Sequence, residues 1–244
     1  MDDKIFTLLE NERIANGIYR ARLKGDTAAI TRPGQFVNVK LDGLYLRRPI
    51  SVNDCEGDIL TLIYKTVGEG TEKMSRTLPG AEWDILTGLG NGYDVTKSGN
   101  APLLVGGGVG VPPLYMLAKQ LIAQGKRVTV VCGFASKDDV FYENEFKALG
   151  AETYIATADG SYGAKGFVTD IIKTLSGYSY FYSCGPIPMF RAMEEVVTTD
   201  GQYSFEERMG CGFGACMGCS CETKYGNKRI CRDGPVMERG EIIW

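Results

Sequence analysis

The sequence predicts a β plus α/β protein in three parts: an N-terminal antiparallel β-barrel, a parallel α/β domain and a C-terminal loop-rich subdomain. Three observations predict it. Short apolar-polar alternations broken by turns run to about residue 95, and strand and helix periods then alternate to about residue 200. Five of the eight cysteines crowd the remainder, at positions 211, 216, 219, 221 and 231. The expected boundaries are therefore 1–95, 96–200 and 201–244.

In Gln35-Phe36-Val37-Asn38-Val39-Lys40-Leu41, apolar Val37, Val39 and Leu41 alternate with Asn38 and Lys40, the period of a half-buried strand. Ile18 to Leu23, Ile59 to Tyr64 and Trp83 to Thr87 read as further strands, separated by Gly, Asp and Pro turns. Leu46 to Ser51 reads as the end of another. Strands this short and this closely spaced fit a small barrel. Gly68-Glu69-Gly70-Thr71 then predicts a short helix to Leu78, with Thr71 as its N-cap.

From Pro102 the pattern changes. Pro102 to Val105 is a buried-type strand running into a glycine turn, and Leu114, Leu117, Ala118, Leu121 and Ile122 follow at helical spacing. Further strands are expected at Arg127 to Cys132, Thr153 to Ala156 and Tyr180 to Ser183. Helices are expected at Asp138 to Leu149, Thr169 to Leu175 and Pro188 to Val197. This alternation indicates a parallel sheet.

Composition narrows the function. A net charge of −3 does not supply the clustered cations of a nucleic-acid surface. No apolar run approaches the roughly 20 residues of a membrane helix, and Met1-Asp2-Asp3-Lys4-Ile5 lacks the basic start of a secretory signal. A cytoplasmic protein is expected, where clustered cysteines favour metal over disulfides. The 244 residues contain no histidine, so there is no Ser–His or Cys–His pair, and the chemistry is expected from cofactors.

Cys211, Cys216 and Cys219 form C-x4-C-x2-C, and Cys231 supplies a distant fourth, the spacing of a plant-type [2Fe–2S] site. Glycines at 210, 212, 214 and 218 let the backbone approach a cluster and aim N–H groups at its sulfur. A zinc ribbon usually shows two C-x2-C pairs instead. Cys221, two positions beyond Cys219, is left outside the ligand set. Cys55, Cys132 and Cys184 start as small core residues.

Two other segments suit anionic ligands. Arg48-Pro49-Ile50-Ser51 sets a cation beside a hydroxyl, and Ile63-Tyr64-Lys65 leads into the Gly70-Thr71 helix start. Gly106-Gly107-Gly108-Val109-Gly110 follows a strand and opens a helix with Pro112-Pro113, without matching G-x-G-x-x-G. A tight turn without ligand is the plain alternative there. Cys184-Gly185-Pro186 likewise ends a strand, at the edge where parallel sheets bind ligands.

In this order the parts resemble the ferredoxin–NADP reductase superfamily, whose flavin motif R-x-Y-S is similar to Arg48-Pro49-Ile50-Ser51, with Ile50 where that family has Tyr. Gly106 to Pro113 and Cys184-Gly185-Pro186 are similar to its nicotinamide-side segments. With the cysteine tail, nearly the whole chain resembles the electron-transfer subunits of the dihydroorotate dehydrogenase B family. The stretches that carry this are Leu46 to Ser51, Ile63 to Thr71, Glu206 to Cys221 and Arg229 to Val236.

The resemblance implies FAD on Arg48, Pro49, Ile50, Ser51, Ile63, Tyr64, Lys65, Gly70 and Thr71. It implies NAD at Gly106, Gly107, Gly108, Gly110, Cys184 and Gly185, and a [2Fe–2S] cluster on Cys211, Cys216, Cys219 and Cys231. It further implies a heterotetramer, two of these chains with two FMN-containing catalytic subunits, working in pyrimidine biosynthesis. Asp138 and Asp139 favour NAD over NADP, and Lys137 beside Ser136 pulls the other way. The rivals are a reductase subunit serving ferredoxin, sulfite or hydrogenase chemistry, and a non-enzymatic zinc-binding interaction protein.

Overall fold

A computed structural model describes residues 3–244; Met1 and Asp2, part of the amino-terminal signal reading, lie outside them. Six strands form a closed antiparallel barrel in the order β1-β2-β5-β4-β3-β6. They are β1 (Asp3–Ala15), β2 (Ile18–Lys24), β3 (Phe36–Val39), β4 (Arg48–Glu56), β5 (Ile59–Lys65) and β6 (Glu82–Leu89). Their inward residues, among them Phe6, Leu8, Leu23, Val37, Leu62 and Ile85, make one apolar core.

Strand β1 is absent from the sequence reading. Its Glu-Asn-Glu-Arg stretch is a poor strand former on its own, and pairing with both β2 and β6 holds it extended. The Arg48 segment begins β4 rather than ending a strand. The helix α1 (Glu69–Ser75) takes Gly68, not Thr71, as its N-cap. Thr71 sits inside the first turn, where its hydroxyl donates to the Gly68 carbonyl at 3.1 Å and accepts the Val67 N–H at 2.9 Å.

The second layer is a seven-stranded sheet in the order β10-β9-β8-β7-β11-β12-β15. It uses β7 (Pro102–Gly107), β8 (Thr129–Phe134), β9 (Glu152–Thr157), β10 (Ala164–Lys165), β11 (Tyr180–Cys184) and β12 (Gly201–Ser204), with β15 (Val236–Glu238) antiparallel at one edge. Helices α2 (Pro113–Ala123), α3 (Glu143–Leu149), α4 (Val168–Ile172) and α5 (Ile187–Glu194) lie between the strands. The helix expected from Asp138 is shorter. Asp139 turns back to accept the Ser136 N–H and hydroxyl, and Tyr142 adopts a left-handed φ of 66°, so α3 starts only at Glu143.

The cysteine tail is less irregular than expected. Residues 201–204 pair in parallel with β11, and 236–238 return to pair with β12, so the large sheet extends past the boundary at 201. Between them, β13 (Ser220–Thr223) and β14 (Gly226–Arg229) form a hairpin leading into the single turn α6 (Ile230–Asp233).

Barrel and sheet are tied at polar contacts, those of Asn53 buried. The Asn53 amide on β4 donates to the Pro112 carbonyl at 3.0 Å, ahead of α2, and accepts the Tyr142 hydroxyl at 2.8 Å. Asn91, just after the barrel, exchanges two hydrogen bonds with Val236 of the tail. Groups satisfied this way can be buried without penalty and fix the three parts in register.

Candidate functional site

The barrel wall is split on one side. Arg48 to Ser51 pair with β3 alone, Ile63 to Lys65 pair with β2 alone, and the β4–β5 ladder starts only at Val52 and Leu62, beside a bulge. Two of the expected flavin segments therefore flank one gap. The third closes its end. Gly70 of α1 lies so close to the Arg48 guanidinium that a Cβ there would overlap it. A cation against a backbone without a side chain is chemistry that suits a phosphate anion. Ile63 and Tyr64 turn their side chains into packed cores, Ile63 into that of the α/β half, while Tyr64 is buried in the barrel. The Tyr64 ring is stacked on Tyr19 at 5.8 Å, and its hydroxyl donates to Asn11 at 2.8 Å. Only its backbone can meet a ligand at the gap.

In the large sheet, β8, β9 and β10 lie on one side of β7 and β11 and β12 on the other, so the winding reverses between β7 and β11. The crevice at the carboxyl ends of such strands is the standard ligand position of open α/β sheets. Gly106 pairs with Cys184 across that line. A Cβ on Gly110 would overlap the Cys184 carbonyl, and Cβ atoms on Gly107 and Gly185 would press on Met189. These glycines let the two turns approach. Gly108, with φ of 53°, faces open space. Cys184 is fully buried, and burial, then the Glu206 charge, pushes its thiol well above the usual range. It is a packing element of the crevice floor rather than a nucleophile.

In the tail one thiol behaves oppositely, while burial and the neighbouring Cys219 push Cys231 up to about 12. Cys211 Sγ accepts N–H groups from Ala215 at 3.2 Å and Cys216 at 3.4 Å. Burial would raise this thiol, but the N–H groups of Cys216, Phe213 and Ala215 and the Cys216 thiol outweigh it and bring it to about 6. A thiolate is the form that binds iron. The hairpin brings Cys231 back beside Cys219, whose Sγ accepts the Cys231 N–H at 3.4 Å while the Cys219 carbonyl accepts the Ile230 N–H at 3.0 Å. Arg229 locks this return by donating to the Gly214 carbonyl at 2.7 Å.

No three His, Cys, Asp or Glu side chains converge on one point among the described residues. The cysteines instead associate two by two through N–H groups to sulfur, Cys216 onto Cys211 and Cys231 onto Cys219, and a binuclear cluster takes two per iron. Cys221 Sγ lies 4.0 Å from Met237 Sδ.

Residues 206–243 match the model of the iron-sulfur cluster binding domain of dihydroorotate dehydrogenase B, and residues 104–195 that of an oxidoreductase NAD-binding domain. The chain is 49% identical to a protein of Fusobacterium nucleatum named dihydroorotate dehydrogenase B (NAD(+)), electron transfer subunit, over 97% of this chain and 96% of that one. The chain belongs to this family. A Geobacillus member is 46% identical over 100% of this chain and 99% of its own. A solved NADH-dependent reduced ferredoxin-NADP oxidoreductase superposes with a TM-score of 0.89 at 28% identity, covering 98% of this chain and 90% of that one.

An Amycolatopsis cytochrome P450 reductase, at 24% identity and a TM-score of 0.71 over 80% of this chain and 65% of that one, shares the fold. None of the described helices is long and apolar enough to cross a membrane.

One residue near these sites was not singled out from the sequence. Asn38 of β3 is 1% exposed, under the cluster loop, and donates to the Cys211 carbonyl at 3.3 Å. Strand alternation identifies the face it occupies but gives no sign of what covers that face.

Proposed function

We propose that this chain relays electrons between NAD and the FMN of a separate subunit that oxidises dihydroorotate, in a cytoplasmic heterotetramer of two chains of each kind. FAD would lie in the barrel gap along Arg48, Pro49, Ile50 and Ser51, with Ile63 to Lys65 opposite and Gly70-Thr71 at the end. NAD would enter the crevice at Gly106 to Gly110, over Cys184 and Gly185. Cys211, Cys216, Cys219 and Cys231 would hold [2Fe–2S], with Cys221 outside the set. The assignment of residues 1–95, 96–200 and 201–244 to FAD, NAD and cluster follows, with 201–204 and 236–238 lent to the nucleotide sheet.

When bound, FAD exchanges a hydride with NAD and single electrons with the cluster. The chain's own task is positioning. Arg48 sets a cation at the diphosphate, and the glycine turns admit the nicotinamide side to the crevice. The N–H groups around Cys211 offset the charge of a thiolate-bound centre. The observation that carries the reading is the pairing of the four tail thiols beside a barrel whose wall is open at the flavin motif. Without histidine, the base for dihydroorotate is assigned to the catalytic partner.

The test is division of labour. The isolated chain should oxidise NADH with a dye acceptor and leave dihydroorotate untouched. Adding the FMN-containing subunit should restore dihydroorotate-dependent NAD reduction. That reduction by this polypeptide alone would overturn the relay. The 28% identity to a ferredoxin-NADP oxidoreductase favours one second reading, a ferredoxin partner. Direct electron exchange with reduced ferredoxin, and none with the FMN subunit, would favour it.

A further inference from the structure

Among the described residues, few buried side-chain oxygens and nitrogens lack a hydrogen-bond partner, and one is Asn38 Oδ1. Leaving a buried acceptor unserved costs about 1–3 kcal/mol, so such an atom asks what donates to it. The amide's orientation is fixed by its other end. The Cys211 carbonyl can only accept, so Nδ2 must face it, and Oδ1 is the atom left over.

The place of this atom is informative. Val37 and Val39 point into the barrel core, while Phe36 belongs to the core that holds Cys219 and Cys231. Asn38 therefore stands on the outer wall, toward the cluster lobe. Directly across the ladder from it is Pro49, inside the flavin motif. The side chain thus lies between the strand read as the flavin site and the loop read as the cluster site. The loop is shaped around it. A Cβ on Gly212 would overlap Asn38 Nδ2, and Gly212 has a left-handed φ of 79°. The glycine between Cys211 and Phe213 is needed because a barrel side chain occupies the space its own would take.

We propose that Asn38 is a positioning residue shared by both cofactors, its amide nitrogen holding the first cluster cysteine by its carbonyl and its oxygen accepting an N–H or O–H of FAD bound along β4. FAD has such donors on its ring and ribityl chain. One rigid amide would then fix the cluster loop against the flavin, so that binding at one centre is felt at the other. This rests on the placement of FAD along Arg48 to Ser51.

The test uses the full chain, stripped of FAD and titrated with it while flavin fluorescence is followed. Asn38→Leu should weaken FAD binding about tenfold, the equivalent of one hydrogen bond. It should also change the visible circular dichroism of the cluster. Asn38→Asp, which keeps an oxygen and loses the donor, should retain FAD affinity and still alter the cluster spectrum. Gly212→Ala, a change in the cluster loop that displaces Asn38, should weaken FAD binding even where Asn38→Leu fails to fold. Wild-type FAD affinity in Asn38→Leu or Gly212→Ala would overturn the proposal, since the oxygen would then be served by water. Arg48→Ala is run alongside. If it too binds FAD normally, the flavin placement itself has failed, whereas loss in Arg48→Ala alone removes only the role of Asn38.

Discussion

Two regions of this chain carry cysteines in opposite surroundings. At the carboxyl edge of the sheet, Cys184 is buried in the core that also holds Tyr93, Tyr182 and Val111, and its thiol is held far from ionisation. In the tail loop, Cys211 lies half-buried under a fan of backbone N–H groups that favour the thiolate. The residue type is the same, and the difference is made by backbone. Parallel strands use up their N–H groups in the ladder, whereas a glycine-rich loop leaves them free to point at sulfur. On the proposed reading, the sheet builds a rigid floor for a passing nucleotide, and the loop builds a charged socket for a resident cluster.

The strongest way to break this contrast is to remove a socket thiol. Cys211→Ala, Cys216→Ala, Cys219→Ala and Cys231→Ala should each abolish or severely deplete iron and the visible cluster bands while FAD stays bound. Full iron content in any of them would remove that cysteine from the ligand set. Next in size is Arg48→Ala, which should weaken FAD binding about ten- to hundredfold through loss of one charge-assisted contact. Retention of flavin through extensive dilution would show that the barrel gap binds without it.

Gly110→Ala tests the floor. Its methyl would collide with the Cys184 carbonyl and force β7 and β11 apart at their ends. We expect a loss of about 1–3 kcal/mol in unfolding free energy and a raised KM for NADH, with the cluster spectrum unchanged. An unchanged KM would place the nucleotide elsewhere. The smallest effect is expected from Cys221→Ala, whose sulfur touches Met237 Sδ at 4.0 Å. It should cost about 1 kcal/mol or less and leave iron content at the wild-type level.

Much of the site was legible in the sequence because its signals are local. The x4 and x2 spacings record how a short loop wraps a cluster, and glycine before proline marks a strand feeding a helix. Arg48-Pro49-Ile50-Ser51 is readable as a segment, although its place at the start of β4 was not. Tyr64 shows the limit from the other side. Its ring turns into the barrel core while Ile63 turns into the core of the α/β half, because side chains alternate and the pairing of β5 with β2 fixes which way each points.

By itself, then, the sequence placed a barrel, an α/β sheet and a cysteine tail in order, singled out four candidate thiols and the glycine turns, and pointed to cofactors in a chain without histidine. These are properties of residue type and spacing, which survive without knowledge of the fold. Tertiary structure decided the rest. It opened the barrel wall between β4 and β5, returned 236–238 to the sheet edge, paired Cys219 with Cys231, and buried Asn38 beneath Cys211. The physical reason is that a strand's period tells which residues share a face, while what covers that face is chosen by chain segments up to 173 positions away.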